Sequence, residues 1–141
     1  MRIGKYDIVV DSYAWIEYFA GTGRGELVRR HLEDAGRVYT PSIVLAEVAR
    51  KYAREGASWR VVEERIRVVE ELSAVVHVDS RIALAAARAY LELVKHAKAL
   101  GLRDKPSLAD AIVYATARVL GAKVVTGDKH FKELKDVIWL G

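Results

Sequence analysis

The chain has 141 residues, enough for one substantial hydrophobic core. Its 52% hydrophobic content excludes a disordered polypeptide, and the absence of Cys excludes disulfides, thiolate metal sites and cysteine nucleophiles. The net charge of +4 and the pI near 9.4 favour a polyanionic partner without naming one.

Apolar stretches such as IALAAARAYLELV are broken by charge well short of the roughly 20 residues a membrane span needs, and MRIGKYD has no apolar signal segment. A cytoplasmic protein is expected. There is no Asn and no Gln, only one Met, and 30% of the residues are charged. That bias is reported for proteins of hot environments, so a thermophile source is expected.

Taken in order, Ile8, Val9 and Val10 form a short apolar run that suits a strand covered on both faces. Asp11 stands at its carboxyl end, and SYAWIEYFAG follows as a short helix capped by Asp11 or Ser12 and closed by Gly21. GTGRG reads as a loop; its glycines follow a helix and are spaced GxGxG, so it is no dinucleotide fingerprint. A second helix is expected over about Glu26 to Ala35, then a strand from Arg37 to Thr40.

Thr40 is expected to cap a helix with Pro41 at its first position. In SIVLAEVARKYAREG the apolar stripe is Val44, Leu45, Val48, Ala49 and Tyr52, and Glu47 lies in the first half. Ser58 opens another amphipathic helix, with Val62, Ile66 and Val69 inward and Glu63, Glu64, Arg65 and Arg67 outward. AVVHV, Ala74 to Val78, is the third strand.

Asp79 or Ser80 then caps a long helix to Leu100, with Ala83, Ala87, Tyr90 and Val94 as its buried seam. After the polar loop LRDKP, Ser107 starts a helix with Leu108, Ala111, Ile112, Ala115 and Val119 inward and Asp110 in its first turn. AKVVTGD supplies the fourth strand, ended by Thr126, Gly127 and Asp128. KHFKELKD is a short helix or turn, and Val137 to Leu140 a last strand. Strands alternating with helices predict one α/β domain over residues 1–141, with a mainly parallel sheet and helices on both faces.

Four acids stand out by position. Each has an ordinary use: Asp11 as a helix cap, Asp110 in a capping box with Ser107, Glu47 paired with Lys51, Asp128 as a turn residue. In a right-handed α/β arrangement, however, strand ends and the first turns of following helices meet at one sheet edge. Two carboxylates about 4 Å apart repel by roughly 4 kcal/mol at an effective dielectric of 20. Four acids that converge there must therefore hold protons or share a cation, and an all-oxygen donor set selects Mg²⁺ or Mn²⁺.

Other chemistries lack their residues: there is no GxxxxGK[ST] loop, no HExxH and no GxSxG. The histidines, 31, 77, 96 and 130, show no ligand spacing, and His130 reads as a solvated turn residue or a functional one. A receiver module would carry an acidic pair at the first strand, where Ser12 follows Asp11. A two-aspartate phosphatase would carry an acid where Tyr13 stands.

Asp11 followed by SYAWIEYF, Glu47 in SIVLAEVAR, Asp110 in SLADAIVYATA and TGDKHF around Asp128 together resemble the PIN domains, most of all the VapC-type toxins of toxin-antitoxin pairs. The resemblance covers essentially the whole chain. It implies a three-layer sandwich of helices around a mainly parallel sheet, and an Mg²⁺- or Mn²⁺-dependent endoribonuclease.

By motif match, Asp11, Glu47, Asp110 and Asp128 are then catalytic and metal-binding, with Thr126 a supporting hydroxyl. Asp11 and Asp110 are expected to bind metal directly, Glu47 and Asp128 directly or through water. A homodimer and a small antitoxin partner are implied as well. RNA contacts are expected from Arg50, Lys51, Arg54, Lys129 and Lys132, whose ordinary use is a solvated helix face. Tyr13 and Trp15 are candidates for base stacking or for the core. A housekeeping RNA-processing nuclease and a non-catalytic binding module are the rival readings.

Overall fold

The computed structural model describes residues 5–141, so the first four residues of MRIGKYD, read above for a signal segment, lie outside the described residues. The chain runs β1 (Ile8–Val10), α1 (Ser12–Ala20), α2 (Gly23–Asp34), β2 (Val38–Pro41), α3 (Ser42–Arg54), α4 (Trp59–Leu72), β3 (Ala74–Val76), α5 (Ser80–Ala99), α6 (Leu108–Leu120), β4 (Lys123–Thr126) and β5 (Val137–Trp139). A single 3₁₀ turn, Lys129–Phe131, follows β4. The five strands form one sheet in the order β3-β2-β1-β4-β5, and every pairing is parallel.

The apolar runs dictate this order. Val9, Val10, Val124 and Val125 have no exposed surface, so β1 and β4 take the centre, covered on both faces. Ala74 and Trp139 are exposed at the two edges. The chain moves outward one way through β2 and β3, then returns to place β4 on the other side of β1. The switch point therefore lies between β1 and β4, where the carboxyl ends of open α/β sheets leave a crevice.

The helices pack in sequential pairs, α1 with α2, α3 with α4 and α5 with α6. Where α1 meets α2 there is no room for a side chain: a Cβ on Gly25 would fall 2.0 Å from the Glu17 carbonyl oxygen. The stretch GTGRG is accordingly a loop only at Gly21, which closes α1, and Thr22. Thr22 caps α2 through its hydroxyl, accepting from the Gly25 N–H at 3.0 Å, and Gly23 and Gly25 lie in the helix's first turn.

Four further expectations change. Thr40 does not cap α3, which starts after Pro41 with no side-chain cap. Its hydroxyl instead accepts from the fully buried Trp15 indole N–H at 3.1 Å. Ser73 spends its one proton on the Val69 carbonyl at 2.7 Å, so Thr40 must donate to Ser73 Oγ, also at 2.7 Å. This relay joins α1, β2 and α4, and it puts Trp15 in the core and out of reach of a base.

The seam of α5 is turned by one residue, to Ile82, Ala86, Ala89, Leu93 and Ala97. In α6 everything from Ala111 to Ala117 is buried, while Leu108 is exposed. Arg65, expected outward on α4, lies over the rings of Phe19 and Tyr52, 5.0 and 5.7 Å from their centroids. Among the described residues no helix is long and apolar enough to cross a membrane.

Candidate metal and nucleic-acid site

Asp11 follows the last residue of β1 directly, and Asp128 follows β4 by two, so the central pair of parallel strands delivers both to the switch point. Asp110 arrives from the first turn of α6 and Glu47 from the second turn of α3. The four acids expected to converge act on one another electrostatically. Asp11 feels Asp128 and Asp110, and Glu47 feels Asp110 and Asp128.

Each carboxylate is held by its own local hydrogen bonds. Asp11 Oδ1 accepts from the Ala14 N–H at 2.9 Å, the ordinary work of a helix cap, and its carboxylate also takes a hydrogen bond from Thr126. Thr126, fully buried, accepts from the Asp128 N–H at 3.0 Å and so ties two of the acids together. Asp110 and Ser107 form a reciprocal capping box at 2.9 and 3.0 Å. Glu47 accepts from Ser12. Capping and clustering coexist: the caps fix where the acids point.

Burial sets the proton affinities. Asp11 is 5% exposed, and desolvation, with the charges of Asp128 and Asp110 added, pushes its carboxyl up to about 7 against its hydrogen bonds. Burial raises Asp110 and Glu47 as well, with further contributions from the neighbouring acids. Three carboxyls displaced in the same direction mark a site built for more positive charge than the chain supplies.

His130 is the residue the sequence left undecided, and it is not solvated. It is 8% exposed; its Nε2–H donates to the Asp104 carbonyl at 3.0 Å, and Nδ1 lies 3.0 Å from Asp128 Oδ1 and 4.0 Å from Asp110 Oδ2. Burial works against its charged form, but the Asp104 carbonyl and the two carboxylates outweigh it and raise its pKa. Asp110, Asp128 and His130 offer ligand atoms all within 4.8 Å of one another. The only signal in the sequence was adjacency to Asp128, which cannot distinguish a buried ring from an exposed one.

The expected cationic contacts separate into two groups. Arg50, Lys51 and Arg54 line a groove of about 380 Å³ together with Tyr13, Glu47 and Asp128. Lys129 and Lys132 are not in that groove; Lys129 pairs with Asp104 at 2.7 Å, and Lys132 is exposed beyond the 3₁₀ turn. Lys51 pairs with Glu55 at 3.1 Å, in place of the expected Glu47.

A sequence profile decides the family: that of the PIN domain matches residues 8–137. The chain belongs to the PIN domain family. No curated protein matches the sequence. Solved structures that share this PIN fold include a toxin-antitoxin complex from Klebsiella pneumoniae, at 20% identity over 95% of this chain and 98% of that one, with a TM-score of 0.70. The sarcin-ricin loop cleaving toxin VapC20 of Mycobacterium tuberculosis shares 22% identity over 88% and 92%, with a TM-score of 0.64. DNA-bound VapBC from Salmonella typhimurium shares 19% over 96% and 99%, with a TM-score of 0.65.

Proposed function

We propose that this PIN domain is a divalent-metal-dependent endoribonuclease and the toxin of a VapBC-type pair. The observation that carries the reading is Asp11: a buried carboxyl at the switch point of the sheet, flanked by Asp110 and Asp128, with its proton affinity raised by all of them. Membership of the PIN family and the likeness to toxin-antitoxin structures support the biological role.

The donor set suits a hard cation. Asp11, Asp110 and Asp128 are carboxylates already oriented by backbone or hydroxyl groups, and Glu47 faces them from α3. No thiolate is available, so Mg²⁺ or Mn²⁺ fits better than a softer metal. When bound, such an ion polarises a phosphoryl oxygen and lowers the pKa of a coordinated water.

The chain's own residues do the rest. Thr126 keeps Asp11 and Asp128 in register, Ser107 holds Asp110, and His130 fixes the Oδ1 side of Asp128. Glu47 is half-exposed at the mouth of the groove and is placed to take a proton at a carboxylate oxygen. Partners follow from the same reading: RNA as substrate, a small antitoxin as inhibitor, and a second copy of the chain, for which α5 presents Leu84 and Leu91, 71% and 66% exposed.

Asp11→Asn and Asp110→Asn provide the test, because Asn keeps an oxygen for the Ala14 and Ser107 N–H groups while removing the charge. Each should cut Mg²⁺- or Mn²⁺-dependent cleavage of a mixed RNA panel by about a hundredfold or more, with the melting transition retained. Cleavage by the parent that survives EDTA, or that is unchanged in both variants, overturns the assignment.

A further inference from the structure

The groove between α1 and α3 changes sign along its α3 bank. Glu47 and Asp128 are followed along α3 by Arg50, Lys51 and Arg54, while Glu17 on the α1 bank accepts from the Thr22 hydroxyl. At 1.5 Å of rise per residue, the three cations lie about 4.5, 6 and 10.5 Å farther along the α3 axis than Glu47. Arg50 and Arg54 are exposed and make no ion pair or side-chain hydrogen bond among the described residues; Arg54 stands in the last turn of α3, where a cation complements the helix dipole, and Arg50 acts on Glu47 through its charge.

Tyr13 forms the opposite bank. Its ring lies against the backbone of Gly127: a Cβ on that glycine would fall 2.4 Å from Tyr13 Cε1 and 2.6 Å from Cζ. The bare glycine lets the ring rest on the turn that carries Asp128, and the half-buried tyrosine still lines the groove. An aromatic wall beside the acids, with cations farther along α3, suits a single-stranded polynucleotide. Such a strand would set one phosphate at the acids, a base on the ring and the following phosphates at the arginines.

Resting on the nuclease reading above, we infer that this groove is the subsite for the RNA segment flanking the cut, with Tyr13 as its stacking wall and Arg50 and Arg54 as its phosphate clamp. The substrate leaves the metal site toward α3, and the part of the recognised sequence nearest the cut is read against Tyr13.

The test is equilibrium binding of a short, labelled, mixed-sequence single-stranded RNA in Mg²⁺ across a salt series, in an Asp11→Asn background so that the strand stays whole. The double change Arg50→Ala and Arg54→Ala should weaken binding about tenfold at low salt and lower the salt slope by about 1.4, the release expected for two single-strand phosphate contacts. Tyr13→Leu should weaken binding about tenfold with the slope unmoved, since stacking releases no counterions. Gly127→Ala, which drives the ring off its seat while keeping it in the chain, should weaken binding in the same salt-independent way. Cleavage of the same RNA by the parent, with affinity and slope unchanged in the variants, overturns the groove and leaves the nuclease standing. Neither cleavage nor binding by the parent overturns both.

Discussion

Burial keeps the Asp11 proton in place to about pH 7, whereas an unfolded chain releases it near its ordinary 3.8. Between those values the folded state binds more protons, so its stability falls as pH rises. Asp110, Glu47 and His130 are displaced in the same direction and add to the slope. The carboxylates lowered by ion pairs, such as Glu26 and Asp104, are solvent-exposed and offset little of it. In EDTA the protein should therefore be more stable at pH 5 than at pH 8, by on the order of a few kcal/mol of unfolding free energy, and melt at a higher temperature. Mn²⁺ or Mg²⁺ should recover the difference at pH 8, where the ligands are free of protons. A metal-free protein more stable at pH 8 would contradict the burial of Asp11. Residue types and order located the acids in the sequence. The environment of His130 was invisible there, because it depends on the loop carrying Asp104, which arrives from 26 residues away.

At the scale of elements, the relay from Trp15 through Thr40 and Ser73 to the Val69 carbonyl has every proton assigned, and Thr40→Val breaks it in the middle. The indole N–H is then buried without an acceptor, which costs about 1–3 kcal/mol. Urea unfolding should show a lower midpoint at constant slope, and an unchanged midpoint would mean that water or another acceptor replaces Thr40. The sequence placed Thr40 as a cap because Ser and Thr before Pro so often are; it could not show a partner 25 residues upstream. The seam of α5 was misplaced for a different reason. Its apolar residues fill two adjacent stripes, 82/86/89/93 and 83/87/90/94, equally well, and only the packing against α6 chooses between them. GTGRG failed as a loop from Gly23 onward because glycine propensity was outweighed by the close approach of α1 and α2 at Gly25.

Across the whole molecule, the alternation of apolar runs with amphipathic stretches was enough to give a parallel α/β sheet, and the structure makes it parallel throughout. Strand order was beyond the pattern, since β2 and β4 are similar short apolar runs and only three-dimensional packing places them on opposite sides of β1. Composition makes its own prediction at this scale: with no Asn, Gln or Cys and 30% charged residues, the chain should melt above about 90 °C by calorimetry. An ordinary mesophilic transition would remove the thermophile reading and leave the fold untouched.

The position of β4 bears on how such a chain can be made inside a cell. The strand that completes the sheet's centre spans Lys123–Thr126, and Asp128 lies beyond it, so a growing polypeptide carries Asp11 and Glu47 through a long stretch of its synthesis, joined late by Asp110, with nothing to gather them. Until β4 leaves the ribosome, β1 lacks its inner neighbour and the Asp11 carboxyl lacks the buried hydroxyl of Thr126. On the nuclease reading proposed above, the site cannot assemble on the machine translating it before Asp128 has emerged.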